Sequence, residues 1–564
     1  MLATSARWRP VTVALLVLAA VAAHGPARAE GGYASRPATR AQSLAALSGG
    51  GPLPLDCLTP LIQSLRQDPS SGTAAARRAL SLLQLDAPLT GERRIADRDG
   101  DVVRFSMERS SFDRVDATDG DADGQPDIVD SVFEGLAAAR HLFVDQMGLP
   151  APGPADVLLA KLGGGLDGYL IPGGRGGRPL LVIEAAPRGG AAAARNATIH
   201  QFAHAAALAT GPAMPAGFGE AIATWAVVEA SGGPDGRQTG LIARRLARLD
   251  AGLATDDLAL AAGNAAWLAF LREAYGLTAV SLAVEEVSTG APVAAAFDRA
   301  LRRAVGETFA AAFREFQLWS VLTGDRSDGR HFSFADRLPS PTFAAEAEGL
   351  PALSVQADPP VSSAGAAMIL ITPRESGGGL TVRFEGDLVA RWEADVLLVD
   401  GERRIRRLAL DLSAEARGGV TVPLTGVAEA ILLVRNLDGE GRASHRYTWS
   451  AHREPGFPCE IAAMDVRPAD SPEGALLVTW ETASERAVAG FNVLRRREGA
   501  ADEIRINPIW VPPLGDTTTP ASYQFLDTTA DPRFRYLYRI EAVTPEGLSG
   551  LSDALANGPA APVR

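Results

Sequence analysis

Ala197-Thr198-Ile199-His200-Gln201-Phe202-Ala203-His204-Ala205, followed after Gly211-Pro212 and Pro215 by Gly217-Phe218-Gly219-Glu220-Ala221-Ile222-Ala223-Thr224-Trp225, is the stretch on which the reading of this chain turns. Only seven histidines occur in 564 residues, and two of them stand four apart here. On an α-helix positions i and i+4 share a face, so both imidazoles can address one metal ion. The Gly-Pro break predicts the end of that helix, and the next one is apolar with a carboxylate near its start. Glu220 then supplies an oxygen ligand from a neighbouring helix. Two His and one Glu, with the fourth position left to water, is the arrangement in which zinc acidifies water and polarises a carbonyl. The plainer alternative is two helix histidines bonded to backbone carbonyls and a helix-start carboxylate favoured by the macrodipole.

Upstream lies an acidic loop, Asp119-Gly120-Asp121-Ala122-Asp123-Gly124-Gln125-Pro126-Asp127, with Asp130 three residues on. Asp119, Asp121, Asp123, the turn residue Gly124, then Asp127 and Asp130 match the ligand and glycine positions of an EF-hand-like calcium loop, with Asp in place of the usual closing Glu; Gln125 is counted in the same loop. So many carboxylates repel one another unless a cation neutralises them. The alternative is a solvated acidic turn that caps the following helix. In either case the role is structural.

Working outward, 54 basic against 67 acidic residues leave a net charge of −13, which gives no electrostatic footprint for nucleic acid or an anionic membrane. Two cysteines exclude a zinc-thiolate cluster and a disulfide scaffold. Arg7 and Arg9, the apolar run Val11 to Ala23 and Ala27-Arg28-Ala29 predict a cleaved secretory signal over residues 1–29, too short to serve comfortably as an anchor. No later stretch is apolar enough for stable membrane insertion. The expectation is therefore an exported protein, periplasmic or outside the cell. In that oxidising setting Cys57 and Cys459 either form a disulfide or remain two buried thiols.

Residues 30–95 read as a helical segment or propeptide. Residues 96–335 read as an α+β domain, with strand-like runs at Asp156 to Lys161 and Pro179 to Ala185 among Ala- and Leu-rich helices. The second run is either an edge strand that docks an extended peptide or a buried sheet strand. From 343 to 450 and again from 460 to 557, alternating patterns with turn signals predict two all-β sandwich domains. Trp480, Phe491 and the run Tyr536 to Val543 in the last domain resemble a fibronectin type III domain.

The histidine pair and the Glu220 helix resemble those of gluzincin-type zinc metallopeptidases, which carry H-E-x-x-H and a downstream W-x-x-E-G-x-A-like helix. The resemblance extends to secreted multidomain bacterial metalloproteases in which a D-x-D-x-[DN]-G-x-P-D loop precedes the histidine helix, and it covers residues 97–335 in order. It implies a zincin-like core, zinc on His200, His204 and Glu220, and a protein or peptide as substrate or ligand. One position departs from the pattern. Gln201 stands where the family has its general-base Glu, and an amide cannot take up a proton from metal-bound water. Three readings stay open: a metal-binding homologue with weak or absent hydrolysis, an active peptidase using another base such as Glu229, and a non-enzymatic extracellular binding or architectural protein.

Overall fold

The computed structural model describes residues 57–67 and 89–556, apart from 164, 175–176, 256, 375–378, 425–426, 439–442, 455–458, 473, 486–487, 501, 517–518, 532, 546–548 and 553. The export signal expected at 1–29 and most of the helical segment or propeptide expected at 30–95 lie outside these residues. The chain divides into two compact units at Pro341/Thr342, with Leu249–Gly252 belonging to the second. The first is rich in helix and the second is built of β-sheets. Among the described residues no helix is long and apolar enough to cross a membrane.

The first unit contains one five-stranded sheet. Its strands are β1 (Arg94–Arg98), β2 (Asp101–Phe105), β3 (Asp156–Ala160), β4 (Gly168–Ile171) and β5 (Leu180–Glu184), in the order β1-β2-β3-β5-β4. β2, β3 and β5 run parallel, while β1 and β4 are antiparallel edges. Every residue of β3 and β5 is buried, which is why these strands read as continuous apolar runs rather than alternations. Of the two roles open to the stretch from Pro179 to Ala185, the fold gives it the buried one. The edge is β4.

Four helices position the candidate centre: α1 (Thr59–Gln67), α2 (Asp127–Arg140), α3 (Gly190–Thr210) and α4 (Ala216–Ala230). α3 starts at Gly190 behind Gly189, both in the left-handed region at φ 62° and 101°, and stops at Gly211 ahead of Pro212. Its Ala-rich surface favours helix and lets other elements approach closely. It packs against α2, α4, β4 and β5. The α2 contact is tight: a Cβ on Gly135 would lie 2.8 Å from the Arg195 carbonyl oxygen. The remaining helices, from Gly236–Leu246 to Phe309–Val321, gather partly around Trp267, whose ring centroid is 5.3 Å from those of Phe270, Phe297 and Phe316.

In the second unit, a five-stranded sheet that includes Gly365–Thr372, Trp392–Asp400 and Val427–Asn436 shares a core with Gly379–Gly386, Arg417–Pro423 and Tyr447–Glu454. A further core joins the three strands Cys459–Pro468, Leu476–Glu485 and Ala521–Asp527 to Gly490–Arg497 and Tyr536–Val543. Trp480 is buried there and stacks on Tyr523 at 5.0 Å. The two parts are joined more closely than the sequence suggests. Thr421 pairs with Gly550, so one nine-stranded sheet runs through both, and Leu494 and Leu551 contribute to the first core.

Candidate metal centre

α3 carries His200, Gln201 and His204, and α4 carries Glu220 close to its start, because the Pro215 turn brings the second helix back against the first. His204 and Glu220 are fully buried and His200 nearly so. His204 Nε2 is 3.1 Å from Glu220 Oε2, and His200 Nε2 is 3.3 Å from Glu220 Oε1. The three groups singled out from the sequence therefore meet at one place.

A fourth group meets them. The sequence alone left the remaining position to water; the structure brings the Cys57 sulfur to the same place, 3.5 Å from His204 Nε2. Ligand atoms of Cys57, His200, His204 and Glu220 all lie within 4.8 Å of one another. Neither cysteine is in a disulfide and both are buried, the second of the two alternatives the sequence left open, and the Cys57 thiol is turned into this cluster. Residue spacing gave no hint of the pairing, because 147 residues separate Cys57 from His204.

The geometry bears on two chemistries. A thiol peptidase relay needs the imidazole to face the sulfur through one ring nitrogen and the acid through the other. Here His204 presents the same Nε2 to both Cys57 and Glu220. His200 Nε2 is buried and, despite its closeness to Glu220, makes no hydrogen bond. In a tetrahedral zinc site, bonds of about 2.0–2.3 Å place N and O ligands about 3.4 Å apart and N and S ligands about 3.6 Å apart. The observed 3.1, 3.3 and 3.5 Å fit that figure.

Electrostatics bind the four groups together. Burial opposes charge on each of them, but the neighbours outweigh it. Glu220 is held well below the usual carboxylate range by the two imidazoles, against its burial. His200 is raised to about 10 despite burial, by the charges of Glu220 and Cys57. His204 is raised in the same way, by Cys57 and Glu220. Burial and Glu220 push the Cys57 thiol up, yet His204 and His200 bring it down to about 6. A divalent cation can take over the part played by the imidazolium protons, since metal binding displaces protons from its ligands.

Gln201 is also buried, with its amide committed. Thr59 donates to Oε1 at 2.7 Å, and Nε2 donates to the Cys57 sulfur at 3.3 Å. Thr59 Oγ1 in turn accepts from the Leu170 amide at 2.9 Å. Gln201 thus ties α3 to the segment before α1 and to β4. Glu229, the alternative base, is on the last turns of α4 and pairs with Arg272 at 2.8 Å.

The acidic loop is arranged differently. Asp119, Asp121 and Asp123 lie near one another at the surface. Asp119 accepts from the Gly124 amide at 3.0 Å, Asp121 from Asp123 at 3.2 Å and Asp123 from Gln125 at 2.7 Å. Asp127 accepts from the Gly120 amide at 2.7 Å, and Asp130 pairs with Arg98 at 2.9 Å. Of the residues expected to complete the loop around a cation, Asp127 thus turns one carboxylate oxygen to a backbone donor and Asp130 turns one to an arginine. Asp119 Oδ1 and Gln125 Oε1 are left without a partner.

No protein-family model and no curated protein matches the chain. Solved structures match parts of it. An Fn3-like protein from Clostridium thermocellum is 18% identical over 18% of this chain and 93% of its own, with a TM-score of 0.14. A beta-1,2-glucanase from Parabacteroides distasonis is 13% identical over 34% of this chain and 30% of its own, also at 0.14. The FN1-FN3 domains of chicken CNTN1 are 14% identical over 30% of this chain and 56% of their own, at 0.13. The last two are spanned over less than two thirds of their length, and scores this low assign neither fold nor activity to this chain.

Proposed function

We propose that this protein is an exported, zinc-metallopeptidase-like protein whose centre binds zinc through His200, His204 and Glu220 and hydrolyses peptides weakly or not at all. The observation that carries this reading is the convergence of both Nε2 atoms on the two oxygens of one buried carboxylate, at 3.3 and 3.1 Å. Bound zinc would supply a Lewis acid that polarises a carbonyl and acidifies water. Glu220 would hold the ion and balance its charge, and the two imidazoles would fix its position.

Position 201 limits the chemistry. Gln201 can orient a neighbour through hydrogen bonds, but it cannot accept the proton that a general base must take, a contribution of about 10²–10⁴-fold. Its oxygen already accepts from Thr59. Pairing of Glu229 with Arg272 speaks against that carboxylate as a substitute base. The reading includes a protein or peptide as ligand, a zincin-like core in the first unit and a fibronectin III-like sandwich at the end of the second. It also includes calcium on the loop of Asp119, Asp121, Asp123, Gln125, Asp127 and Asp130, of which the first three carboxylates lie close together.

The deciding experiment is metal analysis of protein purified without added metal. About one zinc per chain, lost in His200→Ala, is the expected result. Metal-free protein that takes up no zinc on dialysis would overturn the reading in favour of a non-enzymatic binding or architectural role.

A further inference from the structure

The stretch that delivers the Cys57 sulfur is firmly seated. Leu58, Ile62 and Leu65 are buried in one core with Leu158, Tyr169, Ile171 and Val182. Polar bonds fasten its outer side: Gln63 donates to the Met214 carbonyl at 2.6 Å and Arg66 to that of Pro172 at 2.7 Å. Its start runs along β4, the sheet edge beside the centre. Cys57 forms a parallel bridge with Gly168, and Thr59 Oγ1 accepts from the Leu170 amide. An extended peptide binds a sheet by using such edge groups. Gly168 lets β4 lie close to β5 and α3, because a Cβ there would be 2.7 Å from the Val182 carbonyl oxygen and 3.4 Å from Gln201 Cγ.

We propose that Cys57 is the fourth protein ligand of the metal, and that Cys57–Thr59 occupies the edge of β4 where an incoming peptide would otherwise pair. This rests on the zinc reading above and adds to it a closed coordination shell. Four protein ligands are the mark of structural zinc sites, whereas catalytic sites keep one position for water or substrate. The donors present, two imidazoles, one carboxylate and one thiolate, are all ordinary zinc ligands. The chain therefore blocks its own centre twice, once at the ion and once at the strand that would orient a substrate.

The full-length protein loaded with Co²⁺ tests this directly. Wild type should bind one cobalt per chain and show a thiolate-to-cobalt charge-transfer absorption; Cys57→Ser should keep the cobalt and lose that absorption. Alkylation of the wild-type protein by iodoacetamide, read by peptide mass, gives a second measurement that needs no variant. Stoichiometric zinc should slow modification of Cys57 by at least about tenfold, because a coordinated thiolate is no longer a free nucleophile, and leave Cys459 unaffected as internal reference. Cobalt bound without the absorption, or a Cys57 rate indifferent to bound zinc, would overturn the fourth-ligand proposal and leave the three-ligand reading standing. Wild type that binds neither metal would overturn both.

Discussion

Two parts of the first unit offer oxygen, nitrogen or sulfur to a cation, and they differ in how their donors are spent. In the cluster formed by Cys57, His200, His204 and Glu220, donors from three separate elements are buried and directed at each other. In the loop from Asp119 to Asp127, the donors come from one short segment at the surface and accept mainly from its own backbone amides. A buried carboxylate and two imidazoles are costly to assemble without a charge-balancing partner. A solvated acidic turn carries no such cost. Close spacing of ligand-type residues is thus a weaker sign than convergence across elements under burial.

The sharpest way to break this contrast is to remove a buried donor. Glu220→Ala should abolish zinc uptake and, in chelator-treated protein, lower stability by about 3–5 kcal/mol, because two imidazoles lose the carboxylate they share; urea unfolding would measure it. The same change at Asp121 should leave zinc content untouched. Next comes activity. Gln201→Glu alone should stay inactive, since Cys57 still holds the open position, whereas Gln201→Glu with Cys57→Ala should raise cleavage of a protein substrate by about 10²-fold or more over wild type. Equal cleavage by wild type and the double variant would show that another base operates.

The loop should answer more faintly. Millimolar calcium should raise the melting temperature by a few degrees, about 1–2 kcal/mol for a site of roughly 10⁻⁴ M affinity, and Asp121→Asn with Asp123→Asn should abolish the shift. An unchanged melting temperature in the wild type would reduce the loop to a cap on α2. Smallest of all is Arg98→Ala, which removes the partner of Asp130. Exposed pairs of this kind contribute about 0–1 kcal/mol, so stability should barely change, while calcium affinity should rise if Asp130 is thereby released to the loop.

The legible part of this molecule was local. Histidines four apart, a Gly-Pro stop and a carboxylate early in the next helix are short-range signals, and α3 and α4 follow them closely. Apolar runs such as Leu180–Glu184 announce strands in the same way. Cys57 was not legible, because its approach to His204 is decided by how α1 packs under β4 and not by any periodicity. Arg417–Pro423 is hard to see in the sequence for a different reason: its Arg-Gly-Gly opening weakens the alternation, and pairing with neighbouring strands makes it one. The shared sheet of the second unit was hidden because a single pairing, Thr421 with Gly550, carries it.

That pairing bears on how the chain can be cut. A fragment ending near residue 450 would lose Leu494 and Leu551 from its interior and bare the outer side of Arg417–Pro423. Unsatisfied strand margins of this sort recruit further copies of themselves, so truncations at the apparent junction should clump where the longer polypeptide stays dispersed.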